Sequence, residues 1–274
     1  MSIKAADVAK LRKATGAGMM DCKNALTEAE GDFDAAVSII RKKGMAIANK
    51  RADRDATEGV VLAKVSEDKK NGAMITLNCE TDFVAKNDSF VEFATKILDL
   101  ALEKKPADLD ALKALELEGR KIEDLVTEQT GVIGEKIDLS FFEKMEAEYA
   151  VAYIHAGNKL STLIGFNKTV EEQMGRDVAM QAAAMSPIAI DKDDVDADVI
   201  AKELEIGKEK ARLEGKPEAM LDKIAQGRLG KFFKEATLLN QDFVKDGKLT
   251  VKQYLTSADK DLTVIAMKRY SLNA

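Results

Sequence analysis

The stretch Glu80-Thr81-Asp82-Phe83-Val84-Ala85-Lys86-Asn87-Asp88 lies between a predicted strand and a predicted helix. Residues 75–80 alternate apolar and polar side chains, which is the period-2 pattern of a half-buried strand. Residues 90–102 repeat apolar side chains at helical spacing, and Asp88 or Asn87 can cap that helix. The connector itself belongs to neither element. Together with the two hairpins described below, each followed by a helix, this arrangement indicates an α+β fold.

The connector carries a bulky ring, Phe83, beside a carboxylate, Asp82. Loops run over the protein surface, so a large apolar side chain at a loop tip needs a partner. In one interpretation, Phe83 folds back onto the following helix as a hydrophobic staple and Asp82 caps a turn. In the other, Phe83 is a wedge offered to another protein and Asp82 perturbs a charged site there.

Length and composition limit the possible classes of protein. A chain of 274 residues suggests roughly two domains and can bury a substantial core. No run approaches the roughly 18 apolar residues of a membrane span, and Met1-Ser2-Ile3-Lys4 opens no apolar signal segment. Cys22 and Cys79 are too few and too far apart for a disulfide scaffold. We therefore expect a cytoplasmic protein without membrane contact.

The charge balance argues against wholesale binding of nucleic acid. The formal net charge is −6, whereas nucleic-acid binding usually needs a concentrated basic surface. One basic segment, residues 41–54, has Asp53 as its acidic member and carries Arg41, Lys42, Lys43, Lys50, Arg51 and Arg54. We interpret it as a solvated helix end and linker. The alternative, RNA binding through this segment, predicts steep salt dependence.

The N-terminal part is predicted to be a compact helical module. Residues 5–44 read as three short helices that end at Gly16–Gly18, Gly31 and Gly44, and Asp32 caps the third. Three short helices in about 40 residues resemble the ubiquitin-associated (UBA) type of bundle. So small a bundle buries little surface and is usually a docking module.

Met19 and Met20 form a soft apolar pair directly after the glycines of the first turn. Methionine suits adaptable contact surfaces because its side chain is flexible and polarizable. The pair is therefore a candidate for partner contact. The alternative is that both side chains fill the core of the bundle.

The middle of the chain is predicted to contain two related subdomains, each a β-hairpin followed by a helix. In the first, strands 58–66 and 73–79 meet at a polar turn containing Asn71-Gly72, a strong hairpin signal. In the second, segments 139–142 and 150–154 are strand-like, and residues 160–166 alternate as the next strand.

The two copies differ at the connector between strand and helix. In the second copy this connector is Asn167-Lys168 alone, and Thr169 caps the helix. In the first copy several extra residues are inserted, and they include Asp82 and Phe83. An insertion that the fold does not need is better explained by recognition than by packing. This comparison favours the wedge interpretation.

The C-terminal part begins with two long polar helices joined at Gly215-Lys216-Pro217, with Pro217 at the first position of the second helix. Their thin apolar stripes are typical of a projecting antiparallel coiled coil. The acidic run Asp191–Glu205 suggests a calcium loop, but its sixth position is Asp196 rather than Gly and its twelfth is Lys202 rather than Glu. A calcium site is therefore rejected. The final segment is predicted to contain a short helix and one strand.

The predicted architecture has five parts. They are a UBA-like docking module and linker at 1–54, two core subdomains at 55–138 and 139–186, a coiled-coil hairpin at 187–236, and a segment returning to the core at 237–274.

The sequence lacks the patterns of common catalytic sites. His155, in the turn of the second hairpin, is the single histidine, and one histidine cannot assemble a metal site. Gly-Lys pairs at 207, 215, 230 and 247 lie outside any GxxxxGK[ST] pattern, so no phosphate cradle is predicted. We expect neither enzyme activity nor a bound metal or cofactor.

Two motifs resemble the signatures of the bacterial elongation factor Ts family. The first runs from Thr15 to Leu26 and reads TGAGMMDCKNAL, and the second runs from Cys79 to Lys86 and reads CETDFVAK. His155-Ala156-Gly157 and Glu214-Gly215-Lys216-Pro217 are similar to further segments of that family. After Tyr270-Ser271-Leu272-Asn273 the sequence predicts no additional C-terminal helix such as some members carry.

The resemblance implies a guanine-nucleotide exchange factor for elongation factor Tu, with the GDP-bound and nucleotide-free forms as partners. It implies that the N-terminal bundle, including Met19 and Met20, docks on the partner's nucleotide-binding domain. It also implies that the loop Thr81–Val84, with Asp82 and Phe83 at its tip, enters close to the partner's Mg²⁺ site. The subdomain around His155 would grip another domain of the partner. The factor itself would bind no nucleotide.

An alternative of another class is a passive adaptor that binds a partner, such as a ubiquitin-like surface, through the bundle at 5–44. An exchange factor and an adaptor differ in what they do to a bound nucleotide, so the rate of GDP release separates them.

Overall fold

A computed structural model describes residues 3–272. Met1, Ser2, Asn273 and Ala274, at the ends of the first and last predicted parts, lie outside the described residues. The α-helices, in chain order, are α1 Ala5–Thr15, α2 Met19–Glu28, α3 Phe33–Arg51, α4 Asp82–Ala85, α5 Asp88–Lys104, α6 Leu109–Ala114, α7 Ile122–Ile133, α8 Glu172–Met185, α9 Ala197–Leu213, α10 Leu221–Ala236 and α11 Val251–Thr256.

The strands form two small antiparallel sheets and two short ribbons. They are β1 Glu58–Val65, β2 Asn71–Cys79, β3 Glu116–Leu117, β4 Arg120–Lys121, β5 Asp138–Glu146, β6 Tyr149–Ile154, β7 Leu160–Phe166, β8 Asp242–Phe243, β9 Asp246–Thr250 and β10 Val264–Ser271. One sheet has the order β1-β2-β5 and the other β10-β7-β6, while β3-β4 and β8-β9 are the ribbons. The predicted α+β class is confirmed.

The two sheets pack face to face, with a helix on the outer face of each. Side chains of β1 alternate between two cores: Val60 and Leu62 pack with α5, whereas Val61 and Ala63 pack with Leu163 of the other sheet. Helix α8 covers the second sheet in the same way. The body is thus a helix–sheet–sheet–helix stack, and its strands are rigid platforms for the turns at their ends.

Strand β2 is buried along both faces, which corrects the half-buried strand predicted for residues 75–80. Ile75 and Leu77 face the helix layer, and the polar alternates Thr76 and Asn78 are also buried. The polar face is covered because the second sheet lies against it. The alternation was therefore a correct sign of a strand but a wrong sign of solvent exposure.

The first hairpin is predicted correctly, but its turn is not where the Asn71-Gly72 signal puts it. Both residues belong to β2, and Gly72 pairs with Val65. The chain turns before Asn71, at Ser66–Lys70, where Lys69 adopts a positive φ of 58°. Gly72 is needed for another reason: a Cβ there would lie 3.1 Å from Leu163 Cδ2 in the facing sheet.

Helices α1–α3 form the predicted three-helix bundle around a small core that includes Leu11, Leu26 and Ala36. The predicted cap is confirmed, since Asp32 accepts a hydrogen bond from Ala35 N at 2.8 Å. The predicted stop at Gly44 is wrong, because α3 continues to Arg51.

Gly44 lies instead at the crossing of α3 with α7. A Cβ on Gly131 of α7 would lie only 2.2 Å from the Gly44 Cα. Two glycines at one crossing let the two helix backbones approach closely. The bundle is thus docked directly on the body, and the segment 41–54, interpreted as a helix end and linker, belongs to α3 as far as Arg51.

The second copy contains the predicted hairpin and helix, as β6, β7 and α8. Its connector is longer than predicted, because α8 begins at Glu172 and its cap is Glu171 rather than Thr169. Five residues, 167–171, thus correspond to eight, 80–87, in the first copy. The first connector is still the longer one. Segment 139–142, assigned to the second copy, is part of β5, which pairs with β2 of the first half, so that assignment is wrong.

Helices α9 and α10 form the predicted antiparallel hairpin, which is called the arm below. Buried Ala211, Ala225 and Leu229 line the contact between the two helices. Pro217 caps a short 3-10 turn before α10 and is not the first residue of the long helix, which corrects that prediction. The last segment returns to the body as predicted: α11 packs on the second core, and β10 pairs with β7.

Candidate functional site

The connector between β2 and α5 is not an irregular loop, because residues Asp82–Ala85 form the one-turn helix α4. It belongs to neither β2 nor α5, as predicted, but the short helix within it was not predicted. Ala85 is buried and Val84 packs against the first core, while the Phe83 side chain is 83% exposed. The staple interpretation is wrong, since the ring does not cover its own helix. We call residues Thr81–Lys86 the finger.

Asp82 and Lys86 form an ion pair across the finger. Lys86 Nζ donates to Asp82 Oδ2 at 2.6 Å, one helical turn apart. This hydrogen bond, together with weaker attraction from Lys86 and Lys159, lowers the pKa of the Asp82 carboxyl below its usual value. Asp82 is therefore ionised at neutral pH. The finger tip presents an apolar ring beside an exposed pair of charges.

Two partly buried carboxylates hold the root of the finger. Glu135 accepts hydrogen bonds from Thr81 N at 3.0 Å and from Thr81 Oγ1 at 2.7 Å. Glu80 accepts from Arg51 Nη1 at 2.8 Å, from Arg54 Nη1 at 3.1 Å and from Lys136 N at 2.6 Å.

The protonation state of Glu80 follows from these partners. The hydrogen bond from Lys136 N is the largest cause, followed by those from Arg51 and Arg54, and together they lower the pKa of the Glu80 carboxyl to about 2. Glu80 is thus a permanent anion under physiological conditions. We call Glu80 with Arg51, Arg54 and Lys136 the Glu80 joint.

Cys79 sits at the end of β2 beside the finger and is fully buried. Its Sγ lies 3.1 Å from Thr81 O, to which the thiol donates. Burial is the main cause that raises the pKa of this thiol to about 12. A neutral thiol is a poor nucleophile, so Cys79 supports the backbone of the finger rather than carrying chemistry.

His155 follows β6 and is exposed at the turn of the second hairpin. Its Nδ1 lies 3.0 Å from the Tyr153 hydroxyl. The turn leans on β1, since Val61 N donates to Asn158 O at 2.6 Å. Lys159 in the same turn lies 2.7 Å from Glu58 and acts electrostatically on Asp82. The structure therefore brings the finger and the His155 turn to the same end of the body.

Met19 and Met20 lie in the first turn of α2 and are 60% and 64% exposed. They do not fill the bundle core, so that alternative is wrong. Both line an open groove on the bundle with a cationic rim, together with Ile3, Ala5, Val8, Ala9, Arg12, Lys13 and Lys23. The groove and the finger are separate surfaces. Helix α3 and the Glu80 joint connect the bundle that carries the groove to the root of the finger.

The basic segment 41–54 is largely engaged within the chain. Four of its cations form ion pairs with acidic side chains: Arg41 with Glu128, Lys43 with Asp21, and both Arg51 and Arg54 with Glu80. These pairs favour the interpretation of the segment as structural over the alternative of RNA binding.

The Glu80 joint and the Thr81–Glu135 contact have no signal in the sequence pattern. Their partners are separated by 26 to 56 residues along the chain. Only the charge of Glu80 at the end of an apolar strand marks it as a residue in need of a cation.

Between Ile3 and Leu272, no helix has the length and apolar character needed to cross a membrane. Over the same range, no group of three or more His, Cys, Asp and Glu side chains is arranged to hold a metal ion.

Comparison with known proteins identifies the class of this chain. Residues 80–274 match the family model described as Elongation factor TS. This match covers more than half of the chain and begins at the root of the finger, so the chain belongs to the elongation factor Ts family of translation elongation factors. Its process is therefore protein biosynthesis at the elongation stage.

Individual relatives match along the whole length. A protein named Elongation factor Ts from Porphyromonas gingivalis is 53% identical, with 100% of both chains covered. One of the same name from Amoebophilus asiaticus is 55% identical, also with 100% of both chains covered. Another from Christiangramia forsetii is 53% identical over 98% of each chain. The N-terminal bundle, which the family model does not span, is thus shared with these relatives.

Proposed function

We propose that this protein is a cytoplasmic guanine-nucleotide exchange factor for elongation factor Tu. It would promote the release of GDP without catalysing a chemical reaction of its own. The observation that carries the proposal is the 83% exposure of Phe83 on a one-turn helix whose root is fixed by Glu80 and Glu135. A ring held rigidly in water is poorly explained by the stability of the chain alone, and a partner surface would explain it.

The role of the finger follows from how GDP is held. Mg²⁺ and backbone donors neutralise the negative phosphates of a bound nucleotide. Dislodging the metal removes the largest local positive charge, so the diphosphate is held less tightly. We infer that Phe83 wedges into the partner beside the Mg²⁺ site while the ionised Asp82 disturbs the charges there. Thr81 and Val84 would hold these two side chains at the correct angle.

The finger cannot supply the affinity of the complex. Full burial of a Phe side chain contributes about 1.5–3 kcal/mol, whereas a micromolar complex needs about 8 kcal/mol. Most of the binding energy would come from other surfaces. The groove at Met19 and Met20 is apolar and exposed, and the His155 turn lies beside the finger. We assign docking on the nucleotide-binding domain to the groove and contact with another domain to the turn.

Exchange then follows from thermodynamic coupling. The factor would bind both the GDP-bound and the nucleotide-free partner, and it would bind the latter more tightly. Coupling of binding free energies is reciprocal, so the protein and GDP weaken each other's affinity for the partner by the same factor. GDP leaves without any covalent bond being broken, and no nucleotide has to bind to this protein.

The direct test is the release of a fluorescent GDP analogue from elongation factor Tu, followed after addition of excess unlabelled GDP. We expect the protein to accelerate release in a concentration-dependent and saturable way. A release rate that does not depend on the protein would contradict the proposal.

The exposed groove also suits the second candidate, a passive adaptor that binds through its bundle. The effect of the wild-type protein on GDP release separates the two functions, and the double variant Met19→Ser and Met20→Ser tests the docking role of the groove. For an exchange factor, we expect a higher half-saturating concentration for GDP release with the maximal rate largely kept, because the groove docks while the finger acts. For an adaptor, the wild-type protein would bind its partner without changing the rate of GDP release.

A further inference from the structure

The finger has two ends, and the fold anchors them differently. Its downstream end runs into α5, whose cap Asn87 accepts a hydrogen bond from Ser89 N at 3.0 Å. Its upstream end leaves β2 at Glu80, whose carboxylate accepts hydrogen bonds from residues outside the finger. The Glu80 side chain turns to Arg51 and Arg54, at the end of α3 and just beyond it.

Helix α3 also belongs to the bundle. It spans 19 residues, which corresponds to about 28 Å. Ala36 and Ile40 near its start lie in the bundle core, while Arg51 at its end reaches the root of the finger. One rigid helix therefore runs from the docking bundle to the finger.

The turn between α7 and β5 closes the joint. Lys136 donates its backbone N–H to Glu80 and its ammonium group to Ala52 O and Arg54 O, both at 2.8 Å. The neighbouring Glu135 holds Thr81. Three chain segments that are distant in sequence thus meet at one carboxylate.

The joint is partly shielded from solvent. The side chains of Glu80 and Arg51 are 15% and 27% exposed, whereas that of Arg54 is 58% exposed, so the Glu80–Arg51 contact is the better shielded of the two ion pairs. Charge-assisted hydrogen bonds shielded from solvent are stronger than exposed ion pairs. The exposed Asp82–Lys86 pair, by contrast, can open when a partner arrives.

We propose that Glu80 is a positioning residue that couples the docking bundle to the finger. Because Glu80 binds Arg51 and Arg54, it fixes the position of Phe83 relative to α3 when the bundle is docked on the partner. This inference rests on the proposed exchange function and extends it, because it assigns a role to a residue that the partner does not need to touch. Rigid helices and hydrogen-bond networks that connect two sites can carry energetic coupling between them.

The test compares Glu80→Gln with the wild type in GDP release from elongation factor Tu, titrated to saturation. Gln keeps the size of the side chain and can accept from Lys136 N, but it loses the charge that holds the two arginines. We expect the maximal release rate to fall about fivefold, with the half-saturating concentration changed less than twofold. Arg51→Gln should act in the same direction from the α3 side, and Arg51→Lys should recover part of the rate.

A double variant distinguishes positioning from a general loss of structure. If Glu80 acts through the ring, Glu80→Gln combined with Phe83→Ala releases GDP no more slowly than Phe83→Ala alone. Glu214→Gln is the matched control, since Glu214 forms an ion pair with Arg228 within the arm at 2.8 Å. We expect this control to leave the maximal rate unchanged. Thermal unfolding of each variant verifies that it is folded at the assay temperature.

Three results would overturn the positioning role of Glu80. The first is a wild-type maximal rate for Glu80→Gln, and the second is an effect of Glu80→Gln on the half-saturating concentration alone. The third is a double variant whose maximal rate is lowered by the product of the two single-variant factors. If Phe83→Ala is slow while Glu80→Gln is normal, the finger function stands and the joint is wrong. If Phe83→Ala itself releases GDP at the wild-type rate, both are wrong.

Discussion

Glu80 and Phe83 are three residues apart, yet their side chains have opposite environments. The Glu80 carboxylate is largely shielded from solvent and accepts hydrogen bonds from two guanidinium groups and a backbone N–H. The Phe83 ring extends into solvent. Burial of a charge is costly unless it is paired and hydrogen-bonded, and exposure of a ring leaves its burial energy available to a partner. The fold thus fixes the charged residue and frees the apolar one.

The lowered pKa of Glu80 gives a stability prediction at this scale. Its carboxyl has a pKa of about 2 in the folded protein, against an ordinary value of 4.5. Because the folded pKa is the lower one, the stabilisation is present above pH 4.5 and is lost as the pH falls towards 2. We expect Glu80→Gln to be less stable than the wild type at pH 7, and we expect that difference to shrink between pH 4.5 and 2.

Chemical denaturation at a series of pH values measures this difference. Glu214→Gln is again the control, because the Glu214 side chain is 51% exposed and ion pairs of exposed groups contribute little to stability. A gap between wild type and Glu80→Gln that stays constant down to pH 2 would contradict the account of the joint.

At the scale of elements, the crossing of α3 and α7 decides where the bundle sits. The two glycines of this crossing are not equivalent. A Cβ added at Gly131 would lie 2.2 Å from Gly44 Cα, whereas one added at Gly44 would lie 3.5 Å from Gly131 Cα. The first separation is a severe clash and the second is ordinary van der Waals contact.

The two alanine substitutions should therefore have opposite effects. Gly131→Ala must separate the helices, and we expect it to destabilise the protein by about 1–3 kcal/mol. Gly44→Ala adds a methyl group without a clash and improves helix propensity, so we expect it to be neutral or stabilising by up to about 1 kcal/mol. The free energy of unfolding of both variants checks this. Equal destabilisation by the two variants would show that the crossing is not as close as described.

The same elements show what the sequence could predict. Local periodicity located α5, the two hairpins, the arm and the Asp32 cap, because each depends on residues close together in the chain. Gly44 and Asn71-Gly72 were misassigned for one shared reason. Each contains a glycine with the local signature of a helix end or a turn, but in the structure Gly44 lies at a helix crossing and Gly72 lies against the facing sheet. Local patterns cannot distinguish these two uses of glycine.

At the scale of the whole molecule, stacked sheets provide a rigid body with surfaces at its ends. The sheets bury β2 on both sides and bring the His155 turn beside the finger through Lys159 and Glu58. The bundle is fixed to the same body through α7 and through the Glu80 joint. A side chain can wedge into a partner only if the structure that carries it does not yield.

Neither the sheet stacking nor the Glu80 joint could be predicted from the sequence, since both depend on contacts between residues far apart in the chain. The finger itself could be predicted from Phe83, an apolar ring in a connector longer than its counterpart.

The central claim is that Phe83 couples binding to GDP release, and the substitution Phe83→Ala tests it directly. The ring is exposed, so its loss should leave the stability of the free protein within about 0.5 kcal/mol. Leu213→Ala is the matched control, because Leu213 is similarly exposed, at 79%, but lies at the end of α9.

The decisive measurement is the GDP release rate from elongation factor Tu at saturating Phe83→Ala protein, together with its affinity for the nucleotide-free partner. We predict slower release than with wild type or Leu213→Ala. The affinity should be largely kept, because the energy gained by burying the ring is offset by the cost of opening the partner's site. Release at the wild-type rate by folded Phe83→Ala protein would contradict the account.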